Sequence, residues 1–443
     1  MGVTYWIALA AKSGFVAFIA WFTKEATTFV IHKFYEKRPP PSPDPGVREY
    51  VRQQQDIANF NFLGENRHSL TDRLRARAIP NQRLVEAFGI DSSFTTTDPT
   101  IHSNFLQSAR HAMGKMSTEK WIDMFNVAQT ALNQTVAHIA PSRQQALPLA
   151  RLARVFVFTS ILHVFFDVQP DAIDIDDAVR ATEAINTLWV QSKDGGQPAP
   201  RRESQEQLLA ALRRLLPACF PCEPRGNPLN TIIPAYETMW RAVLLAFVCA
   251  GFRGVDRATA RQFRDVVAGV PACFGWEPKK ELEDVALSFA KEVLRLYPPT
   301  KRIYRAEPAQ GTSESHTILS ADIEKCHRDP SIWGPDALRF RPSRFRKKDL
   351  ADALHPPFTA DMRRTYMPFG VGPHVCPAAS AASGFGFRAI VVLMVVLARR
   401  LGTKESGAIV HFGDKDLEND LDALLPSGRQ DMEDWTLGLG DTE

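Results

Sequence analysis

The sequence predicts a mainly α protein with small β-sheets, one large α+β domain behind an amino-terminal membrane anchor. Three features predict it. Apolar residues recur at three- and four-residue spacing through most of the chain, the strand-like runs are short and late, and the first 36 residues are far more apolar than the rest. The 443 residues are 44% hydrophobic and 23% charged, as in an ordinary globular protein, which excludes a disordered chain and a many-span membrane protein. A formal net charge of +3, with no dense basic stripe, excludes nucleic acid as a partner.

The first element, VTYWIALAAKSGFVAFIAWFT from Val3 to Thr23, is broken only by Lys12 and is just long enough to cross a bilayer. Lys24, Lys33, Lys37 and Arg38 come after it, a flank that holds the bulk of the chain on the cytosolic side. A cleaved signal peptide would carry its basic residues first; an amphipathic helix lying on the membrane is the other reading of an apolar run with a lysine in it. Residues 1–36 are therefore expected to be the anchor. Residues 37–46, KRPPPSPDPG, form a proline-rich hinge, since proline fixes φ and favours an extended spacer. Residues 47–443 are the main domain. Within it EKWIDMFNVAQTALNQTVAHI, ALPLARLARVFVFTSILHVFF and MWRAVLLAFVCAGF have helical periodicity, while IYRAEP and HTILS, near residues 303–320, read as short strands. From Asp414 to the end, ten acidic residues stand against Lys415 and Arg429, the composition of a solvated surface tail.

Six cysteines are scattered, without the dense spacing of a secreted disulfide framework. Cys219 and Cys222 form a CxxC, but no second pair lies at zinc-site spacing. Cys376 differs from the rest. It sits in MPFGVGPHVCPAAS, ahead of Pro377 and a long apolar run, so it is expected at the N-cap of a buried helix, where unpaired N–H groups and the helix dipole favour thiolate. A thiolate is a nucleophile or a metal ligand. His374, two residues away, is the available base for the first role. The second is favoured by Gly370 and Gly372, which leave no side chain, and by the slim Ala378 and Ala379, so that a flat cofactor could lie against the loop.

Phe369, Gly372 and Cys376 match Phe-x-x-Gly-x-x-x-Cys, and PFGVGPHVCPA resembles the haem-binding loop of the cytochrome P-450 family, the haem-thiolate monooxygenases. Two further segments agree. Glu292 and Arg295 form a Glu-x-x-Arg pair 84 residues before the cysteine, where the family's K helix belongs, and HRDPSIWGPDALRFRPSRF resembles the segment before the loop. The resemblance implies that Glu292, Arg295 and Arg344 form a buried structural clamp. It places Thr238 and Glu237, in NTIIPAYETMWR, at the oxygen side of the haem, as hydrogen-bond donor and proton relay. The usual Ala-Gly before them is replaced by Pro234 and Ala235, and a proline there frees the carbonyl of Asn230 and opens the helix. His374 and Arg305 correspond to propionate contacts. The family's Trp-x-x-x-Arg is not visible, and Arg110 is the candidate for its arginine. The region before residue 100 is short for the family, which reduces the first sheet.

The chain is similar to membrane-anchored eukaryotic members, those of fungal secondary metabolism in particular. This implies an endoplasmic-reticulum protein whose main domain faces the cytosol. It binds haem b through Cys376, receives electrons from an NADPH-dependent cytochrome reductase, and inserts one oxygen atom of O2 into an apolar small molecule. Arg363, Arg364, Arg399 and Arg400 flank the loop in sequence and could steer the reductase. Ile233, Tyr236, Pro299, Thr300 and Ile303 are the expected substrate contacts. Two other outcomes fit the same fold: an isomerase or dehydratase acting without O2, and a non-catalytic haem- or ligand-binding relative.

Overall fold

The structure is a computed structural model. It describes residues 44–438, except 65–68, 115, 141–145, 194–197, 222–225, 271–273, 275–279, 309–314, 347–357 and 380–383. The anchor and most of the hinge lie outside the described residues, as do Cys222 and Cys273. Two residues of the expected hinge are helical. Pro45 and Gly46 already belong to helix α1 (Pro45–Asn59), because Asp44 caps it by accepting the N–H of Gly46 and proline suits a first helical turn.

The predicted helical periodicity produces helices. They include α2 (Leu70–Ala78), α3 (Pro99–Gly114), α4 (Thr118–Ile139), α5 (Leu149–Phe166), α6 (Ile175–Gln191), α7 (Pro198–Leu215), α8 (Leu229–Tyr236), α9 (Met239–Phe252), α10 (Arg257–Gly269), α11 (Lys280–Leu296) and α12 (Phe385–Leu401). One large apolar core joins α4, α5, α8, α9, α11 and α12. Between Leu149 and His163 every residue but Arg151 is buried, which is why this segment is apolar all round rather than amphipathic. Among the described residues two segments, Leu149–Phe166 and Leu229–Phe252, are long and apolar enough to cross a membrane, but 78% and 83% of their apolar windows are covered by the protein itself. They are core helices.

The sheets are small. Strands β2 (Arg302–Pro308) and β3 (His316–Asp322) form an antiparallel hairpin with Arg305 opposite Leu319. A second, three-stranded antiparallel sheet has the order β1 (Leu147–Pro148), β5 (Thr436–Gly438), β4 (Ile409–His411). Among the described residues no strand precedes Leu147. Helices α1 and α2 pack on the hairpin, where Gln54 accepts the Asp322 N–H at 2.9 Å. A smaller core of Val51, Ala58, Trp333, Met362 and Met367 lies under α1.

The acidic end is not a solvated tail. Asp431, Glu433 and Asp434 are exposed, but they alternate with Met432, Trp435 and Leu437, which are buried, and β5 is the central strand of its sheet. The acids read in sequence are one face of a segment whose other face closes the core.

Candidate functional site

The loop around Cys376 is closed by its own backbone. The Cys376 N–H donates to the Phe369 carbonyl at 2.9 Å, and Gly370 N–H donates to Met367 O at 3.0 Å. Gly370 and Gly372 have φ of 74° and 70°, in the left-handed region, and a Cβ on Gly372 would run into the side chain of Asn59. Phe369 stands edge-on to Phe387, 5.0 Å between centroids, in space that Gly386 leaves open; a Cβ there would lie 2.7 Å from its ring.

Cys376 does not cap the long helix. Pro377–Ala379 is a single 3₁₀ turn, and α12 begins only at Phe385, because Gly384 takes φ 54° and a left-handed residue interrupts a helix. Cys376 itself is half-buried. Burial pushes its thiol above the ordinary value, against the opposing pull of the Ala378 N–H and of Arg77.

Glu292, Arg295 and Arg344 come together as the sequence implied. Arg295 grips Glu292 with Nε and Nη2, both at 2.8 Å, and Arg344 Nε reaches Glu292 Oε1 at 3.3 Å. The Arg341 N–H adds a fourth donor at 2.9 Å. Arg295 also donates to the carbonyls of His327 and Ala337, and Arg344 to that of Trp333. The His327 ring accepts the Met367 N–H at 2.8 Å, so the clamp reaches the first residue of the loop.

On the other side of the loop, cations gather. Arg77 Nη1 lies 3.3 Å from His374 Nδ1 and donates to Ser93 O. The His374 ring is 5.1 Å from those of Phe60 and His102, and Arg305 lies 4.3 Å over Phe60. Desolvation lowers Arg77 to about 10, Arg305 to about 9 and His374 to about 3, and it lowers His102 as well. The charge of Arg77 adds to the lowering at Arg305, His374 and His102. His374 is turned toward Arg77, not toward the sulfur as a base. Arg110 is exposed on α3, and its charge adds to the lowering at His102. His102, two turns earlier on the same helix, is buried beside the His374 ring. Sequence reading missed His102 and Arg77. A search for tryptophan on α3 passes over a histidine, and Arg77 stands among several arginines in DRLRARA.

Helices α8 and α9 are one apolar run broken at Glu237 and Thr238, just after Pro234. Thr231, Pro234, Ala235, Thr238 and Met239 keep part of their surface open, whereas Ile232, Ile233, Tyr236 and Trp240 are buried. Thr238 thus lies on the accessible face. Ile233 and Tyr236 do not; they point into the core, and Tyr236 packs edge-on against Phe158. Ile303 packs with the smaller core beneath α1, and Thr300 is exposed. Of the three expected substrate contacts outside the broken helix, half-buried Pro299 lies beside it, its carbonyl accepting Arg241 Nη2 at 2.9 Å.

Glu237 is also corrected. It is 1% exposed and ion-paired with Arg429, a residue of the acidic end, with Arg241 one turn along the helix. Burial still raises its carboxyl above the ordinary value, against the pull of both arginines. Buried in this way, it is not open to solvent as the expected relay would be.

Arg363 and Arg364 are exposed on the short helix Ala360–Thr365 that leads into the loop. Arg399 and Arg400 are not beside it. They end α12, about 20 Å along the axis from its start, and Arg399 is tied to the carbonyls of Val267 and Ala268.

The site thus comprises a cysteine on a glycine loop, a buried acid-arginine clamp and a break between two apolar helices. The family model "Cytochrome P450" matches residues 286–380, which contain both the clamp pair and the loop. Cytochrome P450 714A2 of Arabidopsis thaliana is 31% identical over 133 residues, 27% of this chain and 22% of the relative. Cytochrome P450 3A29 of Sus scrofa is 31% identical over 154 residues, 33% and 28%. Luvungin A synthase CYP716AC1 of Citrus sinensis is 34% identical over 91 residues, 19% and 17%. The chain thus spans less than a third of the length of these curated relatives. The crystal structure of CYP175A1 from Thermus thermophilus superposes on 74% of this chain and 77% of that one with a TM-score of 0.50 at 16% identity. The chain is similar to the cytochrome P450 proteins, by fold over 74% of its length and by sequence over residues 286–380.

These are proteins of haem b with a cysteine axial ligand. The residues present fit that group: a half-buried sulfur for the iron, slim Gly370 and Ala378 beside it, and, around His374, buried cations that pair with no carboxylate among the described residues.

Proposed function

We propose that this chain is a haem-thiolate monooxygenase that inserts one oxygen atom of O2 into an apolar small molecule by hydroxylation or epoxidation. The observation that carries the reading is the joining, in one fold, of the Cys376 loop, the Glu292–Arg295–Arg344 clamp and an accessible Thr238 at a break in the central helix. Cys376 would ligate the iron, with Phe369, Gly370 and Gly372 shaping the loop. Bound haem supplies oxygen activation and transfer, which thiolate donation favours. The clamp holds the loop in register through His327 and Met367. Thr238 offers a hydroxyl on the open face, and Glu237 next to it in the chain, its carboxyl raised by burial, would take part in proton transfer.

The partner of such an enzyme is an NADPH-dependent cytochrome reductase, for which exposed Arg363 and Arg364 offer a positive approach to the loop. Residues 1–36 would hold it at the endoplasmic-reticulum membrane with the main domain in the cytosol, and the apolar substrate class agrees with secondary metabolism. The carbon monoxide difference spectrum of the reduced protein tests the ligand. A thiolate-type Soret band is expected in wild type and not in Cys376→Ala; its absence from wild type, or its survival in the variant, refutes the assignment.

One observation favours a second reading, an isomerase or dehydratase that needs neither O2 nor reductant. Glu237 is sealed by Arg429 rather than open to solvent. Turnover of an organic hydroperoxide by the haem-loaded protein without reductant would select this reading over the first.

A further inference from the structure

We propose that the substrate carries a carboxylate on its apolar body, and that Arg83 and Arg429, set against the Trp189 ring, receive it. The inference rests on the monooxygenase reading for its oxygen chemistry and names the substrate class of that same site.

Three guanidiniums and one carboxylate share the space beside the helix break. Arg429 is ion-paired with Glu237, and its guanidinium lies 4.8 Å from the centre of the Trp189 ring, in the last turn of α6. Arg83, on the short helix Gln82–Phe88, lies 5.2 Å from the same ring. Arg241 is one turn along α9 from Glu237. Among the described residues, neither Arg83 nor Arg241 forms an ion pair with an aspartate or glutamate, so positive charge is in excess. Burial lowers Arg241 to about 10 and lowers Arg83 as well, and the charge of Arg429 adds to both. Such a group is unfavourable away from water unless another anion joins it.

The three arginines are not equally occupied. Arg241 is spent on the carbonyls of Pro299 and Ser427. Arg83 makes one hydrogen bond among the described residues, from Nη1 to Ser192 Oγ at 2.5 Å, and that hydroxyl is fixed by its own donation to the Trp189 carbonyl at 2.7 Å. Its Nε and Nη2 are left over. Arg429 Nε is buried with no hydrogen-bond partner. Arg154 shows the contrast, gripping both oxygens of Glu433 with its two Nη atoms. A planar fork with donors to spare matches a carboxylate. Through Arg429 the group reaches Glu237, next in the chain to Thr238, while Trp189 and Phe88, 6.1 Å between centroids, supply apolar surface beside it. The acid end would sit at Arg83 and Arg429, leaving the apolar body for the open face of Ala235, Thr238 and Met239.

The experiment is isothermal calorimetry on the haem-loaded full chain at neutral pH, with dodecanoate, naphthoate and abietate, each against its methyl ester. In at least one pair the acid should bind about 10- to 100-fold tighter than the ester. Arg83→Met should abolish that preference without weakening the ester, Arg83→Lys should recover part of it, and Ser192→Ala should lower it less. The absence of acid preference from every pair, binding or not, overturns the proposal, as does a preference that survives Arg83→Met. Equal loss of acid and ester in that variant makes Arg83 structural and overturns it too. Calorimetry reads no haem band, so the two readings fail separately. A thiolate spectrum without acid preference removes the receptor alone; acid preference without that spectrum removes the monooxygenase alone.

Discussion

Two buried glutamates in this protein have the same company in different states. Glu292 on α11 has Arg295 one turn on and Arg344 from further along the chain; Glu237, at the α8–α9 break, has Arg241 one turn on and Arg429 from the far end. Glu292 accepts four donors, and its two arginines also hold five backbone carbonyls between them, those of His327, Trp333, Asp336, Ala337 and Arg339. Glu237 has one close ion pair, and burial raises its carboxyl despite two cations. A saturated network fixes structure, whereas a partly satisfied one can change its protonation. The difference separates a clamp from a site that can hold or release a proton.

Substitutions can break that contrast. Arg295→Met should have the largest effect, about 3–5 kcal/mol, because it strands a buried carboxylate and several carbonyls; urea unfolding of the haem-free chain measures it, and a loss under about 1 kcal/mol would end the clamp reading. Trp435→Ala should cost about 3–5 kcal/mol as a large core truncation, with the same measurement, whereas a solvated tail would tolerate it. Arg429→Met should cost less, about 1–3 kcal/mol, because Glu237 can take up a proton once its partner is gone.

The smallest effect is a slope with pH. The folded Glu237 carboxyl lies above its ordinary 4.5, so the folded state binds more protons than the unfolded one just above that pH. Stability is unaffected by this group below 4.5, falls as pH rises through the interval up to the folded value, and stays lowered beyond it. Comparing wild type with Glu237→Gln by urea titration from pH 4.5 upward should show that fall only in wild type. Parallel curves would mean that Arg429 fully offsets the burial.

The legible half of the molecule is the one whose partners lie near in sequence or recur in fixed spacing. Cys376, Phe369, Gly372, Glu292, Arg295 and Arg344 could be named beforehand because a loop and a helix turn impose their offsets. Ile233, Tyr236 and Ile303 were misplaced because apolar character does not say which face of a helix or strand is open. Arg110 was misplaced for a similar reason: a helix carries several candidate cations, and only packing chooses the one that turns inward.

By itself the sequence determined the helical architecture, the cysteine loop and its clamp, since hydrophobic period, glycine conformation and a Glu-x-x-Arg turn are local properties. Tertiary structure alone decided that the acidic end closes the core, that Arg429 crosses the fold to Glu237, and that Arg77 and His102 meet His374. Those contacts join residues tens to hundreds of positions apart, and no local periodicity records which of many charged side chains will be desolvated together.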